Sequence, residues 1–292
     1  MKPHYNVVGA VIIKDGKVLA LRRSDGNESV IHKFEFVGGK VEQGETPEAA
    51  LERECMEEIS LKIRVGELFN SVDYEYSDCI VTLSLYFVKP LSGYKLKVHE
   101  EEKWIACADL DPSEWAPADG ELLNSLKTGY VQTREAESAD DYNIIRSVAY
   151  TVMHETFDET TPQGQVDYMI NLFLSDEAIT ENKCKKQYSY RLFYLNGEVA
   201  GFCAYCPAHF YKPEYTEGTF LSKIYILGFA RRKRITSRLL DSLRRPVYLT
   251  VKRDNAQSIN IYKHCGFKIV ESVSADIGEG YVMDDFVMML SK

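Results

Sequence analysis

The sequence predicts two α/β domains in tandem, and three observations carry that prediction. The chain has 292 residues, more than one domain usually holds. Strand-like and helix-like stretches alternate along it. The pattern restarts near Lys127-Thr128-Gly129, which divides the chain into residues 1–128 and 129–292.

In the first part, Val7–Ile13 and Lys17–Arg23 read as a β-hairpin, followed by the turn at Gly38-Gly39. A helix then starts at Thr46-Pro47-Glu48: Thr46 caps, Pro47 suits the first turn, and Glu48 and Glu52 favour the positive helix end. Strands follow at Val65–Glu75, Val81–Val88 and Glu102–Cys107.

The helix carries the chemistry. Glu54, Glu57 and Glu58 stand three and four residues apart, so one helix face presents all three carboxylates. Like charges so placed repel, and a hard divalent cation with oxygen ligands turns that cost into a binding site. Arg53 can hold one carboxylate by a bidentate contact. Gly38 and Gly39 let the chain turn sharply and bring a backbone carbonyl close to a metal. A solvated acidic helix is the alternative, and the spacing to Gly39 and Glu45 weighs against it.

The stretch GGKVEQGETPEAALERECMEEISL resembles the Nudix box, G-x5-E-x7-R-E-U-x-E-E-x-G-U, with Gly39, Glu45, Arg53, Glu54, Glu57 and Glu58 in register. Ser60 stands where that family has its late glycine and reads as a different C-cap. The resemblance implies a Nudix α/β/α sandwich and a metal site at Gly39, Glu54, Glu57 and Glu58 for Mg2+ or Mn2+. It also implies hydrolysis of a nucleoside triphosphate to monophosphate and pyrophosphate. In detail the segment is similar to MutT-type hydrolases: Glu35-Phe36-Val37-Gly38-Gly39-Lys40-Val41-Glu42 matches their EFPGGKxE, with Val37 for Pro. Tyr74-Glu75-Tyr76-Ser77-Asp78 matches YxYPD, and Trp104 with Ala116-Pro117-Ala118-Asp119 matches the W…xPA[ND] tail. By that likeness Asp119 reads the base edge, and Arg23 and Phe36 are candidates for the base pocket. A further carboxylate comes from the run His99-Glu100-Glu101-Glu102, with Glu101 favoured as base or extra ligand. Cys79, where oxidised-guanine hydrolases keep a basic residue, leaves both oxidised purine and CTP-like or modified pyrimidine substrates open.

In the second part, strand Tyr130–Arg134 precedes a helix opened by Ser138-Ala139-Asp140-Asp141. Arg191–Leu195 and Val199–Tyr205 flank an Asn196-Gly197 turn, a β-hairpin signal. Strand Phe220–Leu227, a basic loop, helix Ser237–Leu243 and strand Tyr248–Val251 come next. The final run, Asn255-Ala256-Gln257-Ser258-Ile259-Asn260-Ile261-Tyr262-Lys263-His264-Cys265-Gly266-Phe267, resembles the NxxAIxxYxKxGF segment of the GCN5-related N-acetyltransferases (GNAT).

That likeness implies a mixed sheet flanked by helices, acetyl-CoA as cofactor, Asn255 in contact with it, and Tyr262 placed to protonate the departing thiolate. The cofactor loop departs from the family's R/Q-x-x-G-x-G/A: here it is Arg231-Arg232-Lys233-Arg234-Ile235-Thr236, with Arg234 and Thr236 for the later glycines. Three outcomes stay open: acetyl-CoA bound through basic side chains, another anion bound, or a domain without turnover that senses a ligand. The segments Phe157-Asp158-Glu159-Thr160 and Gln165-Val166-Asp167-Tyr168-Met169 are similar to polyamine-related acetyltransferases and suggest a cationic amine acceptor.

Composition bounds the setting. The net charge of −9 is uneven, about −8 of it before residue 128, and no broad basic face suits duplex nucleic acid. No apolar run is long enough to span a bilayer. Seven scattered cysteines point to reduced thiols and a cytoplasmic protein, with Cys203 and Cys206 read as strand-core thiols rather than zinc ligands.

Overall fold

The computed structural model describes residues 2–159, 161–162, 164–209 and 216–291, and Thr160 of the approach segment lies outside them. The chain divides into two compact units: Met1–Gln132 with Leu195–Glu198, and Thr133–Tyr194 with Val199–Lys292.

The first unit runs β1 (His4–Val11), β2 (Ile13–Lys14), β3 (Lys17–Arg22), β4 (Phe34–Glu35), β5 (Val37–Lys40), α1 (Pro47–Ile59), β6 (Ile63–Glu75), β7 (Ile80–Pro90), β8 (Glu101–Ala106) and α2 (Pro117–Thr128). Among the described residues these strands make two sheets, one ordered β5-β1-β7-β6 and the other β2-β3-β4 with β8 on the far side of β3.

The hairpin read from Val7–Ile13 and Lys17–Arg23 is therefore corrected. The first strand breaks at Ile12: β1 pairs with β5 and β7 in one sheet, and only β2 pairs back on β3 in the other. The cause is burial on both faces. Val8, Ala10, Leu19 and Leu21 face one core with Leu51, Cys55 and Ile59 of α1. Val11, Val18 and Ala20 face a second core with Trp115 and with Leu122, Leu123 and Leu126 of α2. Strands covered on both sides read as continuous apolar runs, with no alternation to show where one sheet ends. Helices on both faces give the α/β/α layering.

α1 keeps the expected start: the Thr46 side chain accepts from the Ala49 N–H at 3.2 Å, with Pro47 at the first position. It stops at Ser60, which adopts φ 55° and ψ 27° and donates its N–H to the carbonyls of Cys55 and Met56. Serine here takes the left-handed turn that a glycine would take without strain.

The second unit runs β9 (Val131–Glu135), α3 (Ala139–Phe157), α4 (Gln165–Leu174), α5 (Asp176–Lys186), β10 (Ser189–Leu195), β11 (Glu198–His209), β12 (Gly218–Ile226), α6 (Ile235–Ser242), β13 (Val247–Lys252), α7 (Ala256–His264), β14 (Lys268–Gly278) and β15 (Tyr281–Leu290). A capping box opens α3: Ser138 accepts from the Asp141 N–H, and the Asp141 side chain accepts from the Ser138 N–H. The sheet order is β14-β15-β13-β12-β11-β10-β9. β12 and β13 are parallel and pair only at Thr219↔Val247, Phe220↔Tyr248 and Leu221↔Leu249. Past that point each continues without the other, so the sheet opens between them. β14 and β15, a long antiparallel pair, went unread in the sequence.

Candidate functional site

The box residues meet where β5 passes α1. Gly39 pairs with Val8 across the β1–β5 ladder. A Cβ on Gly39 would run into the Glu54 carboxylate, so backbone and side chain share the space that only glycine leaves.

Arg53 organises the acids. Its Nε donates to Glu45 Oε1 at 2.9 Å and its Nη2 to Glu45 Oε2 at 3.0 Å. Its Nη1 donates to Glu54 Oε1 at 2.8 Å and to Glu57 Oε2 at 3.3 Å, and Nη2 also reaches the Lys40 carbonyl at 3.1 Å. The bidentate partner is thus Glu45, eight residues earlier, and Glu54 receives a single bond. The Arg53 bond holds the Glu45 carboxyl down at about 2, helped by the Glu42 N–H. The same two glutamates raise the Arg53 guanidinium above its usual value.

Glu58 lies deeper. It accepts from the Gly38 N–H at 3.3 Å and stands 4.0 Å from His99 Nε2. Burial pushes its carboxyl up to about 7; Glu35 and Glu54 add to the rise, and His99 and the Gly38 N–H oppose it.

The sequence reading missed this neighbourhood. The His99 side chain is only 3% exposed and meets Glu35 Oε1 at 3.2 Å, while its Nδ1 is buried without a partner among the described residues. Glu35 in turn accepts from Arg23 Nη1. The histidine was visible in the run His99-Glu100-Glu101-Glu102, but its charges drew attention to the acids. Those acids lie elsewhere: Glu101 accepts from Arg22 Nε at 2.8 Å and is half exposed, Glu100 meets His32 and Glu102 meets Tyr94. The partner of Glu101 is thus Arg22 on β3.

Beside this network, Phe36 is buried and packs on Trp115 with ring centroids 4.8 Å apart. The Phe36 N–H donates to Asp119 Oδ1 at 3.0 Å, which ties the first turn of α2 to the strand bearing the box. Burial raises the Asp119 carboxyl to about 7, with Glu35 adding to it, while the Phe36 N–H and Arg23 lower it. Burial alone would lower Arg23; Glu35 outweighs it and raises the guanidinium. Arg23, Phe36 and Asp119, far apart in sequence, form one patch.

The fit of a divalent cation rests on the donor set and the cradle at Gly39. Glu54, Glu57 and Glu58 are hard oxygen donors on one face, and a buried carboxyl among like charges is relieved by a cation. Among the described residues, no group of three or more His, Cys, Asp or Glu side chains gathers closely enough to hold an ion, and Arg53 contacts Glu54 and Glu57.

In the second unit, Arg231 is exposed; its Nε donates to the Ile226 carbonyl at 3.2 Å and its Nη2 to Glu155 at 2.9 Å. Arg232 and Arg234 take φ 65° and 58°, left-handed values at residues with a Cβ. Arg234 sits at the N-cap of α6 without a side-chain cap, Ile235 is buried, Thr236 follows in the first turn, and Lys233 lies between the two arginines. The loop reaches a glycine-like path with arginines and leaves the α6 N-terminus open to an anion. Asn255 caps α7, its side chain accepting from the Ser258 N–H at 3.0 Å. Tyr262 on α7 is half-buried, its ring centroid 5.6 Å from Phe267, and burial holds its hydroxyl well above the usual tyrosine range. Cys203 and Cys206 are buried on β11, and none of the seven cysteines forms a disulfide.

Comparison with known proteins places both halves. Residues 3–126 match the NUDIX domain, and residues 150–267 match the Acetyltransferase (GNAT) family. The chain is 30% identical over 128 residues to an 8-oxo-dGTP diphosphatase of Escherichia coli (strain K12), a match covering 44% of this chain and 98% of that protein. It is 35% identical over 136 residues to a CTP pyrophosphohydrolase of the same organism, covering 46% and 96%. A PaiA N-acetyltransferase from Thermoplasma acidophilum, solved with coenzyme A, aligns with a TM-score of 0.43 at 17% identity over 56% of this chain and 99% of that one, a likeness too weak to bear on function. The chain belongs to the NUDIX family through its first half and carries a GNAT acetyltransferase-family domain in its second.

Proposed function

We propose that the first unit is a Mg2+- or Mn2+-dependent nucleoside triphosphate pyrophosphohydrolase that yields a nucleoside monophosphate and pyrophosphate. The observation that carries it is the junction at Gly39, where box backbone and box carboxylate occupy one space and Arg53 braces Glu45 against Glu54. The relatives named above, one acting on 8-oxo-dGTP and one on CTP, support a nucleotide substrate.

Glu54, Glu57, Glu58 and the Gly39 carbonyl would hold the ion, which when bound screens the triphosphate and lowers the pKa of an attacking water. Arg53 fixes the helix acids in place. The Glu35–His99–Glu58 chain holds a buried carboxylate where a proton can be taken up, a role we prefer for Glu58 over Glu101, given Glu101's pairing with Arg22. Phe36, Arg23 and Asp119 form the base-side wall, and Asp119, protonated or not at neutral pH, can meet either a donor or an acceptor edge.

The second unit is read as an acetyl-CoA-dependent N-acetyltransferase. The parting of β12 and β13 leaves strand edges for an extended ligand, and the basic turn Arg232–Arg234 with the open N-terminus of α6 suits a pyrophosphate. Tyr262 stays protonated at neutral pH and could protonate a departing thiolate. Seven cysteines without a disulfide fit a cytoplasmic setting.

A panel of nucleoside triphosphates, standard and oxidised, tests the first reading through released pyrophosphate. Turnover of at least one member is expected, and none turned over in Mg2+ or Mn2+ would overturn it. Calorimetry with acetyl-CoA tests the second: absence of binding at millimolar cofactor leaves the domain as a ligand-sensing module.

A further inference from the structure

The second unit contains a cavity of about 290 Å3 walled by α3, α4, α5 and the sheet face of β12, β13 and β15. At a water's share of liquid volume, about 30 Å3, that is room for roughly ten non-hydrogen atoms. The cavity abuts the opening of the sheet: Ser222, Lys223 and Tyr225 line it immediately past the last β12–β13 pair, Leu221↔Leu249.

Its chemistry is unusual for a cavity of this size. Met153, Phe173 and Met283 supply apolar wall. Against them stand two cations, Lys223 and Lys186. Among the described residues, Lys223 Nζ donates to the neighbouring Ser222 hydroxyl alone, at 3.3 Å, and lies 5.2 Å from the centre of the Phe173 ring. Among the described residues no carboxylate pairs with it. Burial, with Lys186 adding, lowers Lys223 to about 8, so it remains mostly charged at neutral pH. A partly buried ammonium with no counter-charge among the described residues is costly, and an anionic ligand group would offset that cost.

One acid lies on the same sheet face. Asp285 follows Met283 by two residues on β15, so both side chains point the same way. It is 6% exposed, its Oδ1 has no partner, and its charge is felt by Tyr225 of the cavity wall.

We infer that this cavity is the acceptor pocket of the acetyltransferase domain and that it takes a small amino acid with an apolar side chain, its carboxylate held by Lys223 and its amine on the Asp285 side. The inference rests on the acetyltransferase reading of the second unit. The cationic amine acceptor suggested by the approach segment fits less well, since Lys223 would face it, while Lys186 lies 4.0 Å from Glu181. In the reaction, the neutral amine nitrogen attacks the acetyl carbonyl of acetyl-CoA, the C–N bond forms and the C–S bond breaks. The nitrogen gives up one proton and the leaving thiolate takes one, so the products are the N-acetyl amino acid and free CoA.

The test is calorimetry on the full chain with methionine, methioninamide and spermidine, each with and without acetyl-CoA, and acetyl-CoA titrated alone. Methionine is expected to bind at least tenfold more tightly than methioninamide. Lys223→Met should remove that preference and Lys223→Arg should keep it. Equal binding of the acid and the amide, tighter binding of spermidine, or no binding of methionine overturns the proposal. If methionine binds with this preference while acetyl-CoA does not bind, the pocket assignment stands as a ligand site and the turnover reading falls.

Discussion

Gly39 leaves the room that Glu54 fills: the position a Cβ would take on Gly39 lies within the Glu54 carboxylate. One sits on β5 and the other on α1, so the box carboxylate packs directly on the box backbone. Gly39→Ala should therefore push the Glu54 carboxylate out of place and lower hydrolysis by about 10²-fold, the usual scale for a misplacement of one ångström. Steady-state rates on any accepted nucleotide measure this, with circular dichroism confirming the fold.

Arg53 predicts a second effect. Its contact with Glu45 uses two nitrogens in a fork that lysine cannot reproduce. Arg53→Lys should free Glu45 and loosen Glu54, and hydrolysis should fall by at least tenfold. The Glu45 carboxyl should rise toward its ordinary value, since the Arg53 bond is the main cause of its depression. NMR titration of the Glu45 side chain reads this directly.

Ser60 predicts the opposite sign. It ends α1 in the left-handed region, where a side chain costs about 1–2 kcal/mol. Ser60→Gly should stabilise the first unit by about 0.5–1 kcal/mol after the extra entropy of glycine in the unfolded chain is counted. A shifted urea midpoint at unchanged slope would show it.

Asp119 gives a pH dependence. Burial, then Glu35, raises its folded-state carboxyl to about 7, above the unfolded value near 3.9. Between those values the folded state binds more protons than the unfolded state, so this residue's contribution to stability falls as pH rises. Asp119→Asn keeps an acceptor for the Phe36 N–H and carries no charge. The variant should gain on the wild type as pH rises from about 4 to 7, with the difference levelling off above that. Urea unfolding at several pH values checks the sign.

Sequence spacing located the box helix closely. Thr46 begins it and Ser60 ends it, because capping chemistry and three-four spacing are local signals. The break of the first strand at Ile12 was illegible, since apolar residues on both faces erase the alternation that marks a sheet. The link between Glu35 and His99 spans 64 residues and depends on the β3–β4 and β3–β8 pairings, which no local pattern encodes. The cavity at Lys223 was hidden for a related reason: its lining comes from three helices, three strands and Tyr188 between α5 and β10. In the acetyltransferase loop the missing glycines were plain, but only the backbone shows Arg232 and Arg234 following the glycine-like path.

The central claim is that the α1 carboxylates serve metal-dependent cleavage of a nucleoside triphosphate. Pyrophosphate release by the wild type and Glu57→Gln, each with Mg2+ and with the metal chelated, tests it most directly. Glu57 is 62% exposed on its side chain and only weakly tied to Arg53, so the substitution leaves the fold alone. Turnover by the wild type with Mg2+, none on chelation, and a loss of at least about 10²-fold in Glu57→Gln are expected. Full activity in the chelated protein, or wild-type activity in Glu57→Gln, would contradict it.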